Sequence, residues 1–278
     1  MCTPLFVGGH SMISHFISAW RSGLRGHSFQ TVFALGILLI GGAYLAATFS
    51  PRQPETVALD VGFSGIHFSL VLLSLFWVQD LVGKEIDRRT TILYLAYPIP
   101  RFNYVLGRFS GICMLLFLAS IILGLLLWVA VMSSSEMYAQ AHRGNLGWPF
   151  WLAILGIWLN AIVVAAFTLC VAALSTTPAL PLALGAAFSI AGQSIGTVAN
   201  YLASGAGGQT ELVTKYAGII NMAQWVLPDL SHLDWRIWSM YNIPVSLEHM
   251  ALSVLMATTY VGLMLIISVK TFNNREFD

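Results

Sequence analysis

The side chains best suited to chemistry outside the long apolar runs are two histidines and an aspartate. His232 and Asp234 stand in the stretch SHLDW, and His249 follows further along the chain. Two imidazoles and one carboxylate are ligands that a transition metal accepts. Because these three residues have no fixed helical spacing, structural roles are favoured and no metal site is predicted.

Neither the cysteines nor any catalytic motif indicates an enzyme. Cys2, Cys113 and Cys170 form no C-x-x-C pair, and the last two lie in apolar runs, where a thiol usually fills space. No H-E-x-x-H stands in the apolar runs, and the G-x-S-x-G match GQSIG at 192–196 lies inside a predicted span rather than at a strand-to-helix turn. The chain also lacks a G-x-x-x-x-G-K-S/T phosphate loop. We therefore predict no catalytic residue and no cofactor bound by this chain.

The composition is that of an integral membrane protein. Of the 278 residues, 57% are hydrophobic and 9% are charged, and the mean hydropathy is +0.77. Soluble domains are far less apolar than this. A spanning helix needs about 20 mainly apolar residues. Six such runs are predicted to be transmembrane helices of a single all-α, polytopic membrane domain over residues 1–278: 29–49, 65–82, 109–132, 150–174, 181–203 and 247–269.

The basic residues predict the orientation of the chain. If both termini are cytoplasmic, four of the thirteen Lys and Arg residues lie outside, namely Arg52, Arg143, Lys215 and Arg236, and the other nine lie inside. This excess agrees with the positive-inside rule. The net charge of +1 is spread along the membrane edges, so no nucleic-acid partner is expected.

An interfacial helix is predicted over 10–26, ahead of the first span. Its apolar residues recur at helical spacing, with serines and arginines on the opposite face. A helix with that division lies against lipid headgroups. The alternative is a solvated segment whose only role is in topology.

The connection between spans two and three, residues 84–101, concentrates charge. Glu85 and Arg89 are four residues apart and can pair along a helix that continues from the second span. Ile86 and Leu93 lie beside the charges, and Pro98 ends the helix. Two interpretations remain open at this point: a basic cytoplasmic loop, or an amphipathic element that docks on lipid or on another protein.

The fifth span carries polar and small residues in the stretch LGAAFSIAGQSIGTVAN. Gln193, Ser194, Gly196 and Asn200 mark it as a candidate for a pathway or for a dimer interface. Small residues allow close helix contact, and buried amides avoid lipid. Packing within one bundle is the alternative.

The outer loop, residues 204–246, is long for a connection between two spans. Part of it is apolar enough for a re-entrant or interfacial helix, and a gate over an exit path is the sharper hypothesis. Its aromatic residues are expected at headgroup depth: Trp225, Trp235, Trp238 and Tyr241.

One segment resembles a known family. The residues after the second span follow the order Glu85, Arg88, Thr90 or Thr91, Leu93, Leu95, Pro98, Arg101, Tyr104, Gly107, Arg108 and Gly111. This order resembles the cytoplasmic motif of type 2 ABC-transporter permeases, from which Arg89 departs, since glycine is common there. The stretches LPDLSHLDWRIWSMYNIP and FNNREFD are similar to the subgroup that includes permeases for maturation of nitrous oxide reductase.

The resemblance implies a transport subunit, most simply an exporter in a bacterial inner membrane. A separate cytoplasmic ATPase would bind ATP and Mg and would dock on a coupling helix over 84–101. The resemblance implies a role for each matching residue. Glu85, Arg88 and Arg89 would make charged contacts with the ATPase, and Ile86 and Leu93 would form the apolar anchor. Pro98 and Arg101 would hold the turn back into the membrane. A homodimer, or a heterodimer with a similar permease, is also implied.

Two further classes are weighed against the transporter. A bundle that transports nothing would serve as a membrane scaffold or anchor for an assembly complex, and absence of a neighbouring ATPase would favour it. An ion-coupled carrier is disfavoured, because the middle of the six predicted spans contains no Asp, Glu, Lys or Arg.

Overall fold

A computed structural model describes most of the chain. The described residues are 16, 17, 20 and 23, followed by 26–50, 52–80, 101–135, 144–175, 177, 179–203 and 227–274. All regular structure in these ranges is helical. The expected all-α class is therefore confirmed for the described part of the chain.

Seven α-helices and one short 3-10 helix make up the described structure. In chain order they are α1 (His27–Thr48), α2 (Pro54–Val78), α3 (Arg101–Ser135), α4 (Trp148–Leu174), α5 (Ala179–Ala203), the 3-10 helix Leu230–Leu233, α6 (Arg236–Tyr241) and α7 (Leu247–Asn274). Six of them, all but α6 and the 3-10 helix, are long and apolar enough to cross a membrane. The prediction of six membrane-spanning helices is thus confirmed by length and composition.

The sequence explains where these helices begin and end. A helix satisfies its own backbone hydrogen bonds, which lipid cannot do, so long apolar runs become helices. Proline stands in the first turn of α2 and of α4, where its missing amide proton costs nothing. At the other end of α4, Ser175 adopts an extended conformation and stops the helix.

Helices α2 and α4 form the centre of the bundle, and α7 lies at its edge. α4 packs on α2, α3, α5 and α7, and α2 packs on α1, α3, α4 and α5. In the most apolar window of α4, 78% of the residues are buried within the protein, against 17% in α7. The edge helix α7 therefore presents most of its surface to lipid.

The core consists of two neighbouring clusters. The larger cluster contains residues of the four helices α1, α2, α3 and α4. In it Phe63 contacts Phe150, and the centroids of the two rings are 5.3 Å apart. The smaller one joins α2, α4, α5 and α7 to the 3-10 helix, and Phe188 stacks there on Phe167 at 4.1 Å. The second cluster thus includes part of the long loop before α7.

The second span begins earlier than predicted. The prediction set its start at residue 65, but α2 starts at Pro54 and so includes Glu55 and Asp60. The Glu55 carboxylate accepts a hydrogen bond from the Gly144 backbone nitrogen at 2.8 Å, and Asp60 lies 3.7 Å from Arg236. A hydropathy scan rejects such carboxylates because it cannot see the groups that compensate them.

The third helix is also longer than the predicted span 109–132. α3 begins at Arg101 and reaches Ser135. Arg108 lies within it at 1% exposure, with its guanidinium 5.7 Å from the centre of the Tyr104 ring. The surrounding protein shields this charge from lipid, so α3 can continue past the apolar run.

Several predicted features lie mainly outside the described residues. These are the coupling segment before residue 101, most of the interfacial helix 10–26, and the first part of the outer loop, residues 204–226. Of the interfacial helix, Trp20 packs against the larger core, and Gly23 lies against Leu115 of α3.

Candidate functional site: a polar cluster beneath an inserted segment

Residues 227–241, which we call the inserted segment, enter the bundle. This segment comprises the 3-10 helix, α6 and the residues around them. Its apolar side chains Leu230, Leu233 and Trp235 are 0%, 1% and 2% exposed. The apolar side of the inserted segment is therefore part of the protein interior.

Two glycines permit this close approach. A Cβ on Gly156 of α4 would collide with the Leu233 carbonyl oxygen, and one on Gly192 of α5 would lie 2.7 Å from the Leu230 side chain. Gly192 is eleven residues before the end of α5 at Ala203, or about 16 Å along the helix axis. The inserted segment thus reaches roughly halfway along α5.

Hydrogen bonds hold the inserted segment at two places. In its middle, the Ser253 hydroxyl of α7 lies 3.0 Å from the His232 carbonyl and 2.7 Å from the His249 carbonyl of its own helix, so it is shared between the two. Near the end of the bundle, Asn145 and Ser239 exchange two bonds, from the Asn145 backbone nitrogen at 2.7 Å and from the Ser239 hydroxyl at 3.0 Å. Within the segment, the Trp235 indole donates to the His232 carbonyl at 3.0 Å.

The expected headgroup position of Trp235 is wrong. Its ring is buried against Gly156, because a glycine there leaves room for an indole and the His232 carbonyl satisfies the indole nitrogen. Tyr241, at the end of the inserted segment, is 49% exposed.

Beneath the inserted segment, three polar side chains meet at mid-length of three spans. His67 is the fourteenth of the 25 residues of α2, Asn160 the thirteenth of the 27 of α4, and Gln193 the fifteenth of the 25 of α5. We call these three residues the polar cluster. Polar side chains at this depth are costly in lipid and commonly mark functional sites.

The polar cluster connects two spans. Gln193 Nε2 lies 3.3 Å from His67 Nε2, which is within hydrogen-bond distance. The cluster therefore joins α2 to α5 through two polar side chains.

Asn160 differs from its neighbours in the polar cluster. It is 3% exposed and its side chain interacts with His67, but its Oδ1 makes no hydrogen bond of regular geometry among the described residues. A buried acceptor without a partner costs about 1–3 kcal/mol. This oxygen is therefore available to a ligand or to water.

A small cavity adjoins these groups. Its volume is about 10 Å³, which is room for roughly one water molecule. It is lined by His67, Gly156, Ile157, Asn160, Gln193, Leu233, Asp234 and Arg236. Spans supply five of these residues and the inserted segment supplies three, so movement of that segment would change the cavity.

Arg236 links the inserted segment to α2. Its Nε donates to Asp234 Oδ1 at 2.7 Å, its Nη1 donates to the Ser64 hydroxyl at 2.9 Å, and Nη1 lies 3.7 Å from Asp60 Oδ1. We call these four residues the latch. The Asp60 side chain is 59% exposed, so its ion pair with Arg236 contributes little to stability. The hydrogen bond from Arg236 to Ser64 therefore provides most of the contact with α2.

The predicted residues of the fifth span fall in different places. Gln193 faces His67, and Gly196 is buried against Asp229 and Ser231 of the inserted segment. Ser194 is exposed on the other face, and the side chain of Asn200 lies outside the description. The contacts of Gln193 and Gly196 are within one chain, and a pathway or dimer role for the four residues stays a prediction.

The predicted coupling residues Glu85, Ile86, Arg88, Arg89, Leu93 and Pro98 all lie outside the described residues. Only Arg101 falls inside, as the first residue of α3. The docking assignment therefore rests on the sequence.

The histidines of the outer loop do meet. The rings of His232 and His249 are 5.1 Å apart in an edge arrangement, and Asp229 Oδ2 lies 3.5 Å from His232 Nε2. Asp234 does not join them, because it is bound to Arg236. The described ranges contain no group of three or more His, Cys, Asp or Glu residues placed to hold a metal ion.

Sequence reasoning missed His67, Asn160 and the latch. His67 was third in the predicted span 65–82 and so resembled a boundary residue, whereas the true start of α2 puts it at mid-helix. Asn160 could have been found as the one amide in an otherwise apolar run of α4.

These features define a helical, multi-pass membrane protein with a segment inserted between its spans. The chain matches no protein-family model, and none of the curated proteins matches it either.

Proposed function

We propose that this chain is the membrane-spanning permease subunit of an ATP-binding-cassette transporter that works as an exporter. The observation that carries the proposal is the order of charged, proline and glycine residues from Glu85 to Gly111, which runs from the connection after α2 into the first turns of α3. This order resembles the segment of type 2 permeases that docks on the ATPase.

The architecture supports this proposal. Six apolar helices, α1 to α5 and α7, are available to cross the membrane. A polar cluster at mid-length of three of them offers groups that a passing molecule could contact. The chain holds no phosphate loop, so the energy must come from a separate ATPase subunit.

The protein would then act as half of a pair. Two ATPase subunits close on ATP and Mg, and each would move one coupling segment, residues 84–101. That movement would pass into α2 and α3, the helices on either side of the segment. A homodimer, or a heterodimer with a similar permease, would provide the second coupling segment.

Purification from the native bacterial membrane tests the proposal. The tagged chain would be extracted in a mild detergent, the co-purifying proteins identified by mass spectrometry, and ATP hydrolysis measured. We expect a phosphate-loop ATPase in a one-to-one ratio with this chain. Recovery of the chain alone, or with assembly proteins only, would favour the scaffold alternative.

A further inference from the structure

The polar cluster has a chemical character that bears on what crosses the bundle. It offers an imidazole and two amides, from His67, Asn160 and Gln193. The two charged residues at the cavity, Asp234 and Arg236, are bound to each other at 2.7 Å. The lining is thus rich in donors and acceptors but balanced in charge.

Such a lining favours an uncharged polar group. An ionised group loses much hydration energy on entering the middle of a membrane protein, and no unbalanced charge lines this cavity to repay it. A hydroxyl or amide needs only hydrogen bonds, which the Asn160 Oδ1 and the His67 imidazole can supply.

The cavity is too small for a cargo as it stands. Its wall on one side consists of Leu233, Asp234 and Arg236 of the inserted segment, and the latch to α2 holds this wall in place. Release of the latch would enlarge the cavity towards the loop end of the bundle, and the polar cluster would then line a path.

We propose, building on the permease function above, that His67, Asn160 and Gln193 form a contact site for an uncharged hydroxyl- or amide-bearing part of the cargo. The inserted segment closes this site, and the latch of Asp60, Ser64, Asp234 and Arg236 controls it.

Thiol labelling in native membranes tests the proposal without any ATPase. Asn160→Cys, in a chain whose own three cysteines are replaced, would be treated with hydroxyethyl, sulfonatoethyl and trimethylammonioethyl methanethiosulfonate. These reagents share a reactive group and differ in charge. Each rate is divided by the rate at Ile243→Cys, an exposed position near the start of α7.

We expect the rate of the hydroxyethyl reagent to rise most when the latch is weakened. The test variant combines Asp234→Asn with Arg236→Gln, so that the cavity lining stays balanced in charge. Loss of the charge-assisted hydrogen bonds should raise the relative rate of this reagent at Asn160→Cys by about tenfold, and the rates of the two charged reagents should rise much less. Arg236→Lys, which keeps the charge, should lie between this double variant and the parent.

Matched variants guard against two artefacts. Gln193→Cys reports on the same cavity from α5 if Asn160→Cys does not fold. Ile190→Cys lies on α5 at 69% exposure and measures labelling through lipid, so its rate should not respond to the double variant of Asp234 and Arg236.

No acceleration, equal acceleration by all three reagents, or an equal gain at Ile190→Cys would overturn the proposal. If one of these labelling results were obtained but an ATPase co-purified with the chain, the proposed contact site would be wrong and the permease function would remain supported. If the labelling behaved as expected and no ATPase were recovered, the permease function would fail instead.

Discussion

Asn160 is a buried amide whose position is hard to explain by stability. It lies near the middle of α4, and its Oδ1 makes no hydrogen bond of regular geometry among the described residues. Leucine would fill a similar volume without that cost. We attribute its presence to the contact site proposed for the polar cluster.

Replacing Asn160 should therefore not weaken the fold. We expect Asn160→Leu to keep or raise the melting temperature in detergent, because it removes a buried acceptor that lacks a regular hydrogen bond. Thr168→Val is the control from the same helix, since its hydroxyl donates to the Val164 carbonyl at 2.7 Å and its loss should not stabilise. A fall of more than about 3 °C in Asn160→Leu, near 1 kcal/mol for a chain of this size, would contradict this account.

At the scale of elements, the inserted segment depends on glycines. Gly156 and Gly192 leave room for the Leu233 carbonyl and the Leu230 side chain, and Gly196 does the same for Asp229 and Ser231. The segment then fills the space between α4, α5 and α7.

A single methyl group should disturb this packing. In Gly156→Ala the new Cβ meets a backbone oxygen that cannot rotate away, so we expect a loss of about 1–3 kcal/mol in the free energy of unfolding. Gly41→Ala on α1 adds the same methyl in open space. Thermal unfolding of the two variants provides the comparison, and equal effects would show that the inserted segment is not held against α4.

The sequence predicted the long apolar helices well, but it predicted their ends and their packing contacts poorly. Apolar runs report only length, so the six spans were found, but the start of α2 was missed because Glu55 is satisfied by Gly144, a residue distant in sequence. Helix α4 is apolar on all sides, so the periodicity of its sequence could not show which face is which. It therefore could not predict that Asn160 lines the cavity or that Gly156 contacts the inserted segment. These contacts depend on tertiary packing between elements far apart in the chain.

At the scale of the whole molecule, the bundle has two distinct ends. One end carries Pro54, Trp148, Leu247 and the inserted segment, and the other carries the connection between α2 and α3. The distribution of basic residues predicts that the second end is cytoplasmic.

Cysteine labelling from outside the cell checks this orientation. Ile243→Cys precedes α7 and is 58% exposed, so we expect it to react with an impermeant reagent. Lys270→Cys, near the far end of α7, should react only after the membrane is opened. The reverse pattern would place the coupling segment on the wrong side and remove the basis for ATPase docking.

The central claim is that an ATPase docks on residues 84–101. Charge reversal there should separate docking from folding, because charged side chains on the surface connection that the sequence predicts here would contribute little to stability. Glu85→Lys and Arg88→Glu each change one expected contact. Lys270→Glu is the matched reversal on the same predicted side of the membrane.

The most direct measurement is the amount of ATPase recovered per mole of tagged chain for these three variants and the parent, in parallel with membrane insertion and melting temperature. We predict that Glu85→Lys and Arg88→Glu lower ATPase recovery by about tenfold, as loss of a charged contact in a docking site does, while Lys270→Glu retains it. Unchanged recovery in both coupling variants, with all four proteins folded and inserted, would contradict the account.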